Sequence, residues 1–211
     1  DEDPNFSVTF PSEYAYLANE ATIIYSRAGG EEVGTYEVTA MVISDGYEIN
    51  VVPGVLTIKK RAITAKIDNL AIYYDNYVSG VTYTFQNEPE FFPGDDQRFV
   101  FTYEQVNKLN VNVGNYPNDI KGKITNKNYV VTVLNGNLTI NRRPITITLD
   151  NKEVVYGEQI PEFTYTLSED YEDVLNLNVT RANPSNLSAG TYKINATHNN
   201  NNFELNVITN D

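Results

Sequence analysis

The sequence predicts an all-β protein built as a tandem series of small modules. The main observation is a stretch that occurs twice, 82 residues apart, at residues 54–65 and 136–147. The first copy reads Gly-Val-Leu-Thr-Ile-Lys-Lys-Arg-Ala-Ile-Thr-Ala and the second Gly-Asn-Leu-Thr-Ile-Asn-Arg-Arg-Pro-Ile-Thr-Ile. In both, two short β-branched strands flank a polar and basic segment. We interpret each copy as the seam between consecutive β modules.

A second repeated pattern supports this organisation. A glycine followed two positions later by a tyrosine occurs at residues 33–36, 113–116 and 189–192. Tyr47 and Leu56 are nine positions apart, and so are Tyr129 and Leu138. Equal spacing predicts equal strand register, because a slip of one residue would turn the apolar face outward. We expect the repeated glycine to adopt a backbone conformation that excludes a Cβ, and the tyrosine to pack in each core.

These repeats divide the chain into three predicted modules, at residues 1–60, 61–142 and 143–211. Each is long enough for one small core. The first module shares only the closing half of the pattern, and alternation predicts strands in it at residues 6–10 and 47–51. The third ends before a full closing strand.

For each module we favour a small antiparallel β-sandwich of immunoglobulin-like architecture. The alternative is a β-grasp-like module with one short helix. Tyr171, Val174 and Leu175 have helical spacing, whereas the matched residues of the second module, Phe99 and Phe101, alternate as in a strand. The two copies therefore favour different structures at this position.

The net charge of −13 is concentrated at the two ends of the chain. Residues 1–60 carry ten acids and three bases, residues 61–142 eight of each, and residues 143–211 ten acids and four bases. This balance argues against binding to nucleic acid or to anionic membranes. No apolar run is long enough to span a bilayer. The absence of cysteine removes a disulfide framework. The start at Asp1, without a leader pattern, indicates a mature protein or an excised fragment.

One loop differs between the second and third modules. Tyr83 and Gly114 are 31 positions apart, whereas Tyr165 and Gly190 are 25 apart, so the second module has six extra residues. Insertions in repeat proteins map to loops, often on a binding face.

The extra residues fall at 87–96, and we predict Phe91, Phe92, Asp95 and Asp96 as binding residues. Two adjacent aromatic side chains in an extended segment cannot both point inward. An exposed aromatic ring is a favoured anchor for a protein or sugar partner. The alternative is that the longer loop folds back and packs on its own module or on a neighbour.

We predict no metal site and no cofactor, with calcium as the one candidate ion. The acidic run at residues 169–173 could supply carboxylate ligands, but a solvated charge run explains it as well. Asp68 and Asp150 recur at one repeat position, where a turn is the simpler explanation. No catalytic motif is present, so we predict that the protein is not an enzyme.

The repeated residues resemble the MBG family of bacterial adhesin repeats, in particular its YGX type. The pattern consists of a Leu-Thr-Ile strand, a basic or proline seam, an Ile-Thr strand, Tyr-Gly, a Phe-Thr-Tyr strand and a Gly-Thr-Tyr strand. In this sequence it occupies residues 138–140, 142–144, 145–147, 156–157, 163–165 and 190–192. The second module departs from it, with Asp75 in place of the glycine. The resemblance implies an extracellular bacterial protein with stalk or adhesive modules, and it brings no catalytic residues.

Two functional hypotheses follow. The first is a non-catalytic repeat region of a bacterial cell-surface or secreted protein, acting as an adhesin stalk or an adhesive module. Its partners would be a host protein or glycan and the neighbouring modules of the same chain. The second is a carbohydrate-binding accessory region of a secreted glycan-degrading protein, with Phe91 and Phe92 as a stacking platform.

Overall fold

The computed structural model describes residues 3–87, 91–104, 108–185 and 188–209. It is β-dominated, with 45% strand and 7% helix, and it confirms the all-β prediction. Its strands are β1 (Thr22–Arg27), β2 (Gly34–Ile43), β3 (Gly54–Ile58), β4 (Arg61–Ile67), β5 (Leu70–Tyr73), β6 (Tyr83–Phe85), β7 (Val100–Tyr103), β8 (Gly114–Ile120), β9 (Gly122–Thr125), β10 (Tyr129–Leu134), β11 (Gly136–Asn141), β12 (Arg143–Leu149), β13 (Tyr165–Leu167), β14 (Asn178–Arg181), β15 (Ile194–Thr197) and β16 (Phe203–Thr209).

The helices are short. They are α1 (Leu17–Glu20), α2 (Glu172–Leu175) and 3₁₀ turns at Ser12–Tyr14 and Asp96–Arg98. The turn α2 lies where the helical spacing was noted, and its buried Leu175 packs against Ile145 and Phe203. Among the described residues, no helix combines the length and apolarity needed to cross a membrane.

The described chain forms two compact units. The first comprises residues 3–63, 91–100 and 125–132, and the second comprises 64–87, 101–104, 108–124, 133–185 and 188–209. The division into three modules at residues 60 and 142 stays a prediction.

In the first unit, β1, β2 and β3 form an antiparallel sheet with β2 in the centre. The strands predicted at residues 6–10 and 47–51 are not strands, and this prediction was wrong. Both segments instead line a cavity of about 690 Å³ beside the sheet. Alternation of apolar residues selects a half-buried segment, but a strand also requires a hydrogen-bonded neighbour.

The second unit contains sheets of order β5-β11-β8 and β13-β12-β16, and sheets of order β10-β4-β6, β7-β9 and β14-β15 are also present. The sandwich prediction required antiparallel pairing throughout, but two strand pairs are parallel. β11 runs parallel to β5, and β12 runs parallel to β16. Parallel neighbours require a long crossover, so β11 and β16 each reach their earlier partner strand only after a long connection.

One register occurs in both units. In the first, β2 pairs with β3 so that Tyr36 faces Leu56. In the second, β8 pairs with β11 so that Tyr116 faces Leu138. Leu138 and Ile140, on the inner face of β11, are almost fully buried and belong to a core cluster that also contains Ile67, Val78, Val81 and Ile120. The period of two in the Leu-Thr-Ile strand therefore fixes which face enters the core.

The glycine that precedes each repeated tyrosine does not have the backbone conformation that we expected. None of Gly34, Gly114 and Gly190 has a positive φ angle. The tyrosine ring lies across the glycine instead: a Cβ built on Gly34 or Gly114 would be 3.6 Å from the ring or its hydroxyl, which is ordinary van der Waals contact. A Cβ would therefore fit at these positions, and neither backbone strain nor close contact requires the glycine there.

The glycines that open the two Leu-Thr-Ile strands differ sharply. A Cβ on Gly136 would lie 2.4 Å from the backbone oxygen of Asp68 and 2.9 Å from that of Ile67. A Cβ on Gly54 would find only the Val38 backbone oxygen, at 3.9 Å. Only the second copy needs a glycine for close backbone approach.

We therefore predict that Gly136→Ala destabilises the protein by about 3 kcal/mol, because two backbone segments must separate. Gly54→Ala is the matched control at the equivalent position and should be neutral or slightly stabilising. Urea unfolding followed by circular dichroism measures both. Equal losses for the two variants would contradict this account of the strand start.

Candidate functional site at the module seams

A short asparagine turn joins the second and third predicted modules. The Asn202 backbone oxygen accepts a hydrogen bond from the Arg143 N–H at 3.0 Å, and its side-chain oxygen accepts one from the Val113 N–H at 2.9 Å. Its side-chain amide donates to Asn112 Oδ1 at 2.9 Å. Its own N–H is held by Asn200 Oδ1 at 3.0 Å. One residue therefore ties the start of β12 to the segment that precedes β8.

The first unit contains the same arrangement. The Asn128 backbone oxygen accepts from the Arg61 N–H at 3.0 Å, and its side-chain oxygen accepts from the Val33 N–H at 3.1 Å. Its N–H donates to Asn126 Oδ1 at 2.8 Å. We call residues 126–128 and residues 200–202 the asparagine caps.

The caps satisfy backbone groups that the strands leave open. Val33 and Val113 each stand just before the glycine that begins β2 or β8, so their N–H groups lie outside the ladders. An unpaired N–H in a partly buried place is costly, and an asparagine side chain is suited to replace a backbone acceptor in a turn. The caps therefore complete the hydrogen bonding where one module meets the next.

Arg143 adds a second connection at the seam in the second unit. Its guanidinium donates to the Tyr74 backbone oxygen at 2.9 Å and to Asn76 Oδ1 at 2.5 Å. Another nitrogen of the same group lies 2.8 Å from Glu169 Oε2. The group also lies over the Tyr171 ring, 5.3 Å from its centroid. Arginine suits this place because its planar fork bonds in several directions at once.

An aromatic cluster lies beneath this arginine. Phe203 is almost fully buried and contacts the rings of Tyr74 and Tyr171, with centroids 5.2 and 5.0 Å away. The Tyr171 hydroxyl donates to Asp75 Oδ2 at 3.2 Å. Burial and this hydrogen bond raise the pKa of Tyr171, while the nearby Arg143 charge opposes the shift. Asp75, the residue that departs from the Tyr-Gly pattern, therefore has a structural partner in the third module.

The inserted loop of the first unit packs against the other cap. The Phe91 ring contacts the rings of Phe99 and Tyr129, with centroids 5.4 and 5.9 Å away. The Phe92 N–H donates to the Tyr129 hydroxyl at 3.2 Å. The Phe92 side chain remains 46% exposed. Of the two adjacent phenylalanines, one therefore fixes the loop and the other stays at the surface.

The two acidic residues of the loop, Asp95 and Asp96, also differ in burial. Asp95 is 1% exposed, and its carboxylate pairs with Arg98 at 3.2 Å and accepts from the Asn128 amide at 3.4 Å. Its backbone oxygen accepts from the Asn126 amide at 3.3 Å. Asp96 is exposed. Phe91 and Asp95 thus brace the cap, while Phe92 and Asp96 face solvent, and their role in binding stays a prediction.

The sequence reasoning missed the caps. Both occur as Asn-x-Asn followed by an aromatic residue, at residues 126–129 and 200–203. The first module has Ser44 and Gly46 where the other two have these asparagines. A comparison of the turn residues among the copies, in addition to the strands, would have identified the motif.

Four of the carboxylates that we considered for calcium, those of Asp68, Asp150, Glu169 and Glu172, have protein partners. Asp68 accepts from the Thr82 hydroxyl at 2.7 Å, and Asp150 accepts from the equivalent Thr164. In the acidic run, Glu172 accepts from the Tyr165 hydroxyl at 2.5 Å, which raises the pKa of that tyrosine. Within residues 3–87, 91–104, 108–185 and 188–209, no group of three or more metal-ligating side chains forms a metal site.

A shallow cavity of about 580 Å³ adjoins the cap of the second unit. Its lining is mostly amide side chains, with one guanidinium from Arg142. Amides and guanidinium groups donate and accept hydrogen bonds in the geometry that polar ligands use.

The fold is β-dominated, and each of the two units contains an asparagine cap beside a strand start. Residues 66–144 match the family described as MBG domain, and residues 145–210 match the family described as MBG domain (YGX type). These two consecutive matches confirm the predicted resemblance to MBG domains. No curated protein and no solved structure matches the chain significantly.

MBG domains are repeat modules of surface proteins and are typical of extracellular bacterial proteins. The two matches adjoin at residues 144 and 145, within the seam that Arg143 and Asn202 hold.

We predict that Asn202→Ala lowers the stability of the second unit by about 2 kcal/mol, because the Val113 N–H and the Asn112 side chain lose their partner. Asn201→Ala is the matched control, since Asn201 is exposed in the same turn. Thermal unfolding measures the loss, and hydrogen exchange at the Val113 amide should accelerate only in Asn202→Ala. Unchanged exchange at that amide would contradict the capping role.

Arg143→Lys should destabilise the seam by about 1 to 2 kcal/mol, because lysine keeps the charge but loses the planar fork. Arg142→Lys, at the adjacent exposed position, should change stability by less than about 0.5 kcal/mol. Chemical denaturation at several salt concentrations provides the measurement. A cost for Arg143→Lys that disappears at high salt would show that only charge matters there, against this prediction.

Proposed function

We propose that this chain is a non-catalytic repeat region of a bacterial cell-surface or secreted protein, acting as an adhesin stalk or an adhesive module. The repeated asparagine cap carries the proposal. Two seams in one chain use equivalent hydrogen bonds to join modules, which is what a protein needs when it transmits position or load along a series of repeats.

The side chains that join the modules also support a load-bearing role. The seam of the second unit combines a buried aromatic ring, a multiply bonded arginine and an asparagine that bonds to both modules. These contacts lie between chain segments far apart in sequence, so separating the modules requires several bonds to break together.

Single-molecule force spectroscopy tests the stalk role. The chain, held between reference domains of known unfolding force, should unfold in discrete and reproducible steps. Asn202→Ala should lower the force of one step, and Asn201→Ala should leave it unchanged. Extension without resolvable steps would overturn the stalk role.

The second candidate function is carbohydrate binding within a secreted glycan-degrading system. The exposed Phe92 ring is the observation that favours it, since a sugar face stacks on an exposed aromatic ring. The predicted partner Phe91 packs under the loop, so the platform would consist of Phe92 with the exposed Asp96 beside it.

A glycan and matrix-protein array, run with and without calcium, separates these functions. We expect Phe92→Ala to abolish any specific glycan signal, and Tyr73→Ala, which removes an exposed ring on β5, to retain it. A glycan signal that survives Phe92→Ala would rule out the loop as the sugar site. A matrix-protein signal without a glycan signal would favour the adhesive module.

A further inference from the structure

The two asparagine caps can be compared position by position. Asn128 and Asn202 are equivalent, because each accepts the same pair of backbone N–H groups through its backbone and side-chain oxygens. Glu32 and Asn112 are equivalent as well, because the backbone oxygen of each accepts a hydrogen bond from the hydroxyl of the repeated tyrosine four residues later. A difference between the caps at such positions therefore reflects the side chains and not the frame.

In the first unit, an ion pair crosses the cap. The Lys127 ammonium group, inside the cap, contacts the Glu32 carboxylate on the segment before β2. The Arg98 guanidinium lies 3.6 Å from the same carboxylate oxygen. These charged side chains occupy the space between the two segments.

In the second unit, amides replace both members of that ion pair. Asn201 stands at the position of Lys127, and Asn112 at the position of Glu32. The Asn112 side-chain oxygen accepts from the Asn202 amide at 2.9 Å, so it is directed toward the cap. The cavity of about 580 Å³ lies here, and we call it the amide pocket. Its lining consists of Asn112, Val113, Arg142, Asn176 and residues 199–202.

Polar side chains of the amide pocket are available to a ligand. Within the described part of the chain, the side chains of Arg142, Asn176, Asn199 and Asn201 form no hydrogen bond or ion pair. An amide both donates and accepts hydrogen bonds, and a guanidinium group donates several. Among the described lining residues, Arg142 is the one with a charge, and it is a cation in a chain of net charge −13. The pocket therefore suits a ligand with hydroxyl groups and one negative charge.

The wall of the amide pocket is held in place before any ligand binds. The Asn200 amide donates to the Val174 backbone oxygen at 3.0 Å, and its side-chain oxygen accepts from the Asn202 N–H at 3.0 Å. Asn176 ends α2 with a φ angle of 50°, in the left-handed conformation that asparagine tolerates better than most residues. A preformed frame lowers the entropy cost of binding.

We propose that the amide pocket binds a carboxylated sugar, namely a hexuronic acid residue. Arg142 pairs with the carboxylate through two parallel hydrogen bonds, which is the geometry that guanidinium and carboxylate groups share. The amides of Asn176, Asn199 and Asn201 bond to the ring hydroxyls, which donate and accept as amides do. The volume lies within the range of about 300–1,000 Å³ that is usual for ligand pockets.

This site differs from the carbohydrate site considered above, because Phe92 belongs to the first unit and the amide pocket to the second. The inference does not depend on the stalk role. Force spectroscopy measures the stalk role, and sugar binding is measured on the unloaded chain, so either can fail without the other.

The probes are D-glucuronic acid and D-galacturonic acid, added to the full chain and followed by amide chemical shifts. D-glucose and D-galactose are the matched controls, because they keep the ring and lack the carboxylate. We expect saturable shifts at residues 176 and 199–202 with at least one acid, and about tenfold weaker binding of its neutral counterpart. Shifts with neither acid, or equal binding of acid and counterpart, would overturn the proposal. Sodium acetate that binds as tightly as the acids would overturn the assignment to a sugar.

A substitution of the cation tests the carboxylate contact. Arg142→Gln should weaken binding of the acid by about tenfold and leave that of the neutral sugar unchanged. Lys60→Gln is the matched control, since Lys60 is the exposed equivalent beside the other cap, and it should not affect binding. Full binding by Arg142→Gln, or an equal loss in both variants, would contradict the assigned role.

A double variant tests the location. Asn112→Glu with Asn201→Lys recreates the ion pair of the first unit across the amide pocket and should abolish the shifts caused by the acid. Asn202 is unchanged, so hydrogen exchange at the Val113 amide should stay slow, which separates a blocked pocket from a lost cap. Acid binding that persists in this variant would place the sugar elsewhere and overturn the proposal.

Discussion

The pairing of each Leu-Thr-Ile strand with a tyrosine-bearing strand is the constraint on which the modules depend. Because side chains alternate along a strand, the register that places Leu138 opposite Tyr116 also decides that Leu138 and Ile140 enter the core. The same strand continues almost directly into β12, which begins the next module. One pairing therefore sets the inner face of one module and the starting point of its successor.

Side chains at the seams add contacts beside the chain that runs from β11 into β12. A strand that simply passed from one module to the next would act as a hinge, since few contacts would resist rotation about it. The asparagine caps and Arg143 add bonds beside the strand, and the Phe203 ring fills the space beneath them. The inserted loop with Phe91 and Asp95 reinforces the other cap. The residues specific to the seams thus hold the strand starts in place.

Much of the fold was predictable because it follows from periodicity. Alternating β-branched residues predicted the strands of both seams. The equal spacing of Tyr47 and Tyr129 from the following leucines did not predict the register, since Tyr47 lies in no strand and the leucines pair with Tyr36 and Tyr116 instead. The parallel pairs were not predictable, since alternation defines the faces of a strand but not the direction of its neighbour. The same limit explains residues 6–10, which alternate as a strand does but lack a hydrogen-bonded partner.

The candidate site was harder to predict, because its side chains act through tertiary contacts. The sequence predicted binding residues in the inserted loop, and that role stays a prediction, but only the structure shows that Phe91 packs and Phe92 does not. Asn128 and Asn202 stand in turns where asparagine is common for local reasons, so their bonds to Val33 and Val113 left no periodic trace. The close backbone contact at Gly136 could not be predicted either, because the repeat has a glycine at both positions and only Gly136 has no room for a Cβ.

The parallel pair of β12 and β16 has a consequence for how the chain acquires its structure. Arg143 pairs with Phe203, 60 positions later in the chain, so β12 cannot complete its pairing until β16 is present. Contacts this distant in sequence slow folding, because the intervening loop must be ordered first. During synthesis from the amino end, this part of the chain would therefore remain open until β16 emerged.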